Sequence, residues 1–192
     1  FVLIGDYGTY DKNSSYRNMR FRKLLKKLSS RAELGIHPSY GSSKDPDKIH
    51  AEVKRLSDII KKPVVISRQH FLMLDLPASY SCLMNQDIQR EYSMGYASSL
   101  GFRASISSPF NAYDLVQDKE LPVRIHPFAF MDSALSDYLQ VLPEDYIKFV
   151  RPLIQSVKQV DGELIGIWHN YALSDDETKH HAFTEIIKEA VQ

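Results

Sequence analysis

Residues 33–43 read "ELGIHPSYGSS": an apolar run, Leu34-Gly35-Ile36, reaches His37 and is cut by Pro38 before small polar residues. Proline lacks a backbone donor and restricts the residue before it to extended conformations. The spacing therefore predicts a buried strand with an imidazole held at its tip. The pattern recurs along the chain. "LPVRIHPF" (121–128) also stops at a His-Pro, with Asp132 just beyond, and "ELIGIWHN" (163–170) ends in His169 and Asn170. Ser67, Arg68, Gln69 and His70 follow the β-branched run "PVVIS" (63–67), and Asp6 follows "FVLIG" (1–5). In barrels and open α/β sheets the carboxyl ends of the strands are where chemistry is done. One tip histidine is explained by a backbone hydrogen bond in a core; repetition on strand after strand is an architectural signal.

Between these strands the periodicity turns helical. Met19, Leu24, Leu25 and Leu28 are spaced for a helix within 15–31, among basic residues. Asp45 before Pro46 starts a second helix that runs to about Lys61, with Ile49, Val53, Leu56, Ile59 and Ile60 on one face. A short helix over 77–84 and a short strand in "DIQREY" follow, then amphipathic helices over 143–160 and 175–191. Residues 93–118, rich in glycine, serine and aromatics, show little periodicity and read as a long functional loop. Strands alternating with helices, with no linker or repeat between them, predict one α/β domain over 1–192 with a parallel sheet or barrel.

Composition narrows the classes. The chain has 192 residues, enough for one well-buried domain, and its 24 basic and 24 acidic residues give no global field for nucleic acid or anionic lipid. One cysteine, Cys82, excludes an internal disulfide and a thiolate metal cluster. That fits a reducing, cytoplasmic compartment without requiring it. No apolar run is long enough to span a membrane. The chain opens without methionine inside an apolar run, so Phe1 reads as a point within a longer polypeptide. Oligomeric state is not legible.

Four segments in order, "ELGIHPSYGS", "SRQHF", "YSMGYASSLGFRASISSPFNAYDL" and "LIGIWHN", resemble the bacterial polysaccharide deacetylases with a NodB homology domain (carbohydrate esterase family 4), in a divergent branch. The resemblance covers nearly the whole chain, and the run from Tyr92 to Leu115 is its most specific part. It implies a distorted (β/α) barrel, here lacking its first strand, that removes acetyl groups from N-acetylated sugars of a polysaccharide or glycolipid. It also implies a divalent metal such as zinc on one aspartate and two histidines, a neighbouring aspartate as base, and a late histidine as acid.

The carry-over is incomplete. The family's adjacent aspartates end a strand that should lie upstream of Phe1, which leaves Asp6 as a polar rim residue facing substrate. His37 matches the first metal histidine, but Ser39 is offset by the proline and Gly41 stands where the second would be. Arg68 matches the family's arginine, and His70 takes the place of a proline two residues on. His70 then either supplies the missing metal nitrogen or hydrogen-bonds substrate. His169 stands at the acid position. Asp132 belongs to the functional rim or caps the helix that follows it.

The expected chemistry explains these residue types. An amide resists neutral water, so a metal activates the water and polarises the carbonyl. The sugar amine leaves only when protonated, by His169, and Arg68 orients the base carboxylate. A tip histidine beside Trp168 needs a compensating carboxylate within hydrogen-bond reach. Tyr92, Tyr96, Phe102, Phe110 and Tyr113 would wall a sugar ring. Two other readings stand beside this one. The first is a saccharide-binding barrel without turnover. The second is an unrelated hydrolase using His37, Asp132 and His169 without metal.

Overall fold

A computed structural model describes residues 1–173 and 176–192. The chain divides into two compact units. The first comprises residues 1–93 and 110–125, and the second residues 94–109 and 126–192.

In the first unit, helix α1 (Met19–Ser29) is capped by Asn18, whose side chain accepts from the Arg20 and Phe21 amides. It buries Leu25 and Ser29 against helix α2 (Pro46–Ile60). Asp45 caps α2 through the Lys48 amide, with Pro46 in the first turn, as its residue types demand. The inward face of α2 carries Ile49, Leu56, Ile59 and Ile60, and also a buried Glu52. The sheet orders its strands β1 (Ile66–Ser67), β2 (Arg90–Glu91), β4 (Lys119–Ile125) and β3 (Phe110–Asp114) from edge to edge. A short helix, α3 (Ala78–Met84), connects β1 to β2. The pairs β1–β2 and β2–β4 are parallel, and β3–β4 is antiparallel.

The runs "FVLIG" and "ELGIH" do not become full strands. Each contributes one parallel bridge, Val2 to Ile36 and Ile36 to Ser67, which extends the β1 edge. Gly5 is needed there, because a Cβ at this position would lie 2.6 Å from Cβ of Ser39.

One expectation is corrected here. The long loop over 93–118 is in part a strand. Phe110–Asp114 pairs with β4, burying Ala112 and Asp114 while Asn111 and Tyr113 point out. The inward residues are small or charged, so the alternation does not register as hydrophobic period two. Asp114 accepts from the Val116 and Gln117 amides and so shapes the turn into β4. Among the described residues no sheet is closed. Parallel pairing stops at β4, whose other edge is occupied by antiparallel β3.

The second unit pairs β5 (Phe130–Met131) in parallel with β6 (Gly166–Ile167). Helices α4 (Tyr146–Gln159) and α5 (Glu177–Val191) pack on each other. Their core is Phe130, Leu135, Tyr146, Val150, Ile154 and Ile186. Gly166 lets β6 approach, since a Cβ there would sit 2.4 Å from the Phe130 ring. Of the polar turn that precedes α5, Ser174 and Asp175 lie outside the described residues. No helix among the described residues is long and apolar enough to cross a membrane.

Candidate functional site

Each unit gathers polar residues at the carboxyl ends of its parallel strands. In the second unit the register pairs Phe130 with Gly166 and Met131 with Ile167. The next residues on each strand, Asp132 and then Trp168 and His169, therefore emerge together. Asp132 is buried, 4% exposed, and both its carboxylate oxygens engage His169. The His169 backbone N–H donates to Oδ2 at 3.0 Å, and ring Nδ1–H donates to Oδ1 at 2.5 Å. Burial alone would raise the Asp132 pKa. The bonds from the His169 ring and amide, the ring's charge and the Ser133 amide outweigh it and hold the carboxyl below its ordinary value.

The carboxylate that the sequence required beside His169 is thus present. It also accepts from the amide of Ser133, the residue that starts the following helical turn, at 2.9 Å. Trp168 packs against Tyr146 and Phe183, which fixes the strand tip from below. Tyr171 stacks on the His169 ring with centroids 5.1 Å apart and planes 23° apart. What this arrangement can do is clear from its atoms. With Nδ1 committed to Asp132 in one tautomer, Nε2 is the nitrogen that can hand a proton to a leaving group.

In the first unit His37, Arg68 and His70 lie at the tips of the Ile36 bridge and β1. The backbone N–H of His37 donates to the Val2 carbonyl at 2.9 Å, which continues the bridged pairing to the proline. His37 Nδ1 donates to the Arg68 carbonyl at 2.5 Å, and its Nε2 lies 2.9 Å from Nδ1 of His70. His70 Nε2 faces the Tyr10 carbonyl at 3.0 Å and the Asp11 carboxylate at 3.8 Å. Carbonyl oxygens only accept, so the contacts to Arg68 and Tyr10 draw N–H groups on both outer nitrogens. Burial pushes His37 down to about 3 against its bond to the Arg68 carbonyl, and the charges of Arg68 and His70 add to the fall.

This geometry bears on the ion that the resemblance implies. All four ring nitrogens are already directed at a carbonyl or at each other, and among the described residues no three His, Cys, Asp or Glu groups are arranged to hold a metal. The described residues thus offer two imidazole nitrogens 2.9 Å apart and no three-donor set for a divalent ion.

The sequence reading missed several members of this cluster. Glu91, at the tip of β2, is fully buried and accepts from the Ser93 amide at 2.9 Å and from the Ser93 hydroxyl. Burial pushes its carboxyl up to about 7 against these bonds and the charge of Arg68. Ser93 Oγ in turn accepts from the Gln69 amide at 2.7 Å, tying the ends of β1 and β2 together. Glu52, likewise pushed up by burial, receives the Ser39 amide and hydroxyl at 2.9 and 2.6 Å. In "DIQREY" a glutamate next to arginine looks solvent-facing, and only the parallel pairing on both sides reveals its burial.

The remaining expected site residues are dispersed. Asp6 is exposed and ion-paired with Arg55 at 3.1 Å. The Arg68 guanidinium lies 4.6 Å above the Phe1 ring, which Tyr92 also contacts at 5.4 Å. Tyr113 donates its hydroxyl to Asp118 within the β3–β4 hairpin, and Phe110 is half-buried in β3. Tyr96 is exposed in the second unit, where Phe102 packs against the core. The aromatic wall expected from these residues is not assembled within either unit. Instead, Tyr10, Tyr40 and Phe71 contact one another around His70, with centroids 4.3 to 6.0 Å apart.

Comparison with known proteins gives a likeness of fold. No family model matches the chain. No curated protein matches it either. Among solved structures, a "putative polysaccharide deacetylase" from Mycobacterium smegmatis superposes with a TM-score of 0.67 at 13% identity. The match covers 91% of this chain and 62% of that protein, so the chain spans less than two thirds of its length. At this identity the likeness concerns the fold: the chain is a mixed α/β protein with the architecture of that deacetylase.

Proposed function

We propose that this chain is part of a polysaccharide deacetylase-like hydrolase, which removes acetyl groups from N-acetylated sugars. The observation that carries the reading is the Asp132–His169 pair at the tips of β5 and β6, on a fold like that of the Mycobacterium smegmatis protein. A sugar amine is too basic to depart unprotonated. An imidazole fixed by a buried, ionised carboxylate, with Nε2 as its proton-bearing atom, is suited to protonate it. Asp132 holds the tautomer and compensates the charge that His169 gains. In this reading Arg68 and His70 serve the first-unit cluster, Arg68 through the charge it presents to Glu91 and His70 through its contact with His37. No step is assigned to a metal, because the described donors do not fit one.

The test is acetate release by the complete protein from oligomers of N-acetylglucosamine and from an N-acetylated glycolipid. Release that falls about 100-fold in His169→Ala supports the proposal. Release unchanged in that variant removes His169 from the reaction. Saccharide binding without any acetate release favours a non-catalytic barrel, a reading that the self-paired His37 and His70 also suit.

A further inference from the structure

Charge is balanced over the whole chain but not along it. From Lys12 to Arg31 there are eight basic residues and no acidic one, in a protein with 24 of each. Most of this segment is α1, whose inner face is Leu25 and Ser29. The outward side carries Arg20, Leu24, Lys27 and Leu28, spaced three or four residues apart and so aligned on one stripe, with Arg17 and Arg31 just beyond the helix ends. Lys23 flanks that stripe. Leu24 and Leu28 are 49% and 40% exposed, and Met19, at the helix start, is 74% exposed. Among the described residues no carboxylate pairs with Arg20, Lys23, Lys26, Lys27 or Arg31. Leucines exposed to water, and like charges close together on one helix, are each unfavourable. A surface offering anions and hydrocarbon together relieves both.

We propose that the outer face of α1 docks on an anionic lipid surface, lying in the plane of the headgroups with Leu24 and Leu28 entering the acyl boundary. Basic amphipathic helices bind membranes by this combination of charge and apolar insertion. Nucleic acid or an acidic polysaccharide would satisfy the cations and leave the leucines in water, which is why lipid is the partner favoured here. Each Lys or Arg brought to such a surface strengthens binding about five-fold. The inference is independent of the deacetylase reading.

Co-sedimentation of the chain with vesicles of phosphatidylcholine plus phosphatidylserine, against vesicles of phosphatidylcholine alone, tests it. Binding is expected only to the first, released by high salt. The double variant Arg20→Glu/Lys27→Glu should weaken it about 100-fold or more, since two cations become two anions. Leu24→Ser/Leu28→Ser, which keeps every charge, should weaken it about ten-fold. All four positions face outward, and circular dichroism confirms that the variants fold. Absence of binding to the anionic vesicles overturns the proposal. So does binding that the leucine pair does not affect, which would leave a general polyanion surface, and duplex DNA bound more tightly than the vesicles would identify that partner. Should the charge-reversed chain fail to fold, the leucine variant and the salt titration decide alone.

Discussion

Asp132 gives both its oxygens to one histidine, and that commitment makes its substitution informative. Asparagine keeps one oxygen, which can accept from the Ser133 amide and the His169 ring on the Oδ1 side or from the His169 amide on the Oδ2 side, and it places an NH2 group at the other position. It removes the charge that stabilises a protonated ring. In the complete protein Asp132→Asn should therefore lower turnover on an N-acetyl sugar by about 100-fold. Unchanged turnover would reduce Asp132 to a cap. Glu91 makes a prediction about stability. Its native carboxyl titrates at about 7, above the ordinary value of 4.5, because it is buried. Below 4.5 both folded and unfolded forms hold the proton, and the group adds nothing. Between 4.5 and 7 the unfolded chain releases it while the native chain keeps it, so stability falls as pH rises. Glu91→Gln removes that dependence. Urea midpoints at pH 5 and pH 8 should show the variant gaining on the parent by up to about 3 kcal/mol at the higher pH. A constant difference between the two would contradict the buried acid.

At the level of elements, legibility followed the size of the inward side chains. Helix α2 was readable to within a residue, because Asp45-Pro46 marks its start and isoleucines and leucine repeat on its inner face. Helices α4 and α5 were readable for the same reason. The strands were located but overestimated: "PVVIS" and "ELIGIWHN" pair only over Ile66–Ser67 and Gly166–Ile167. An apolar run reports burial, and whether its backbone pairs depends on neighbours distant in sequence. Strand β3 was hidden because Ala112 and Asp114 are its inward residues. The tip histidines and Asp132 were visible as a pattern. Glu91, Glu52 and Asp11 were not, because a buried carboxylate has no local signature. The pairing of β5 with β6 makes a direct prediction: Gly166→Ala should lower stability by about 2 kcal/mol, measured by urea denaturation, because the added methyl meets the Phe130 ring at 2.4 Å. Unaltered stability would show that the two strands are not so closely apposed.

For the whole molecule, fold and site have different standing. The mixed α/β architecture has a structural counterpart at a TM-score of 0.67, whereas the chemistry rests on the two clusters of side chains. The first-unit cluster makes its own prediction. Since the His37 and His70 rings contact each other and no three donors are arranged around them among the described residues, calorimetric titration of the chain with zinc should show no stoichiometric site, and His37→Ala and His70→Ala should leave the titration unchanged. A one-to-one site abolished by either substitution would contradict the pairing. In the function proposed above, His169, held by Asp132, protonates a departing amine. An amide needs that proton, while an activated acetyl ester with a phenolate leaving group does not. The decisive measurement is therefore the ratio of amide to ester hydrolysis by the complete protein and its His169→Ala variant. A fall of about 100-fold on the N-acetyl sugar with the ester rate nearly preserved is expected; equal loss on both substrates, or loss on neither, would rule out His169 as the acid.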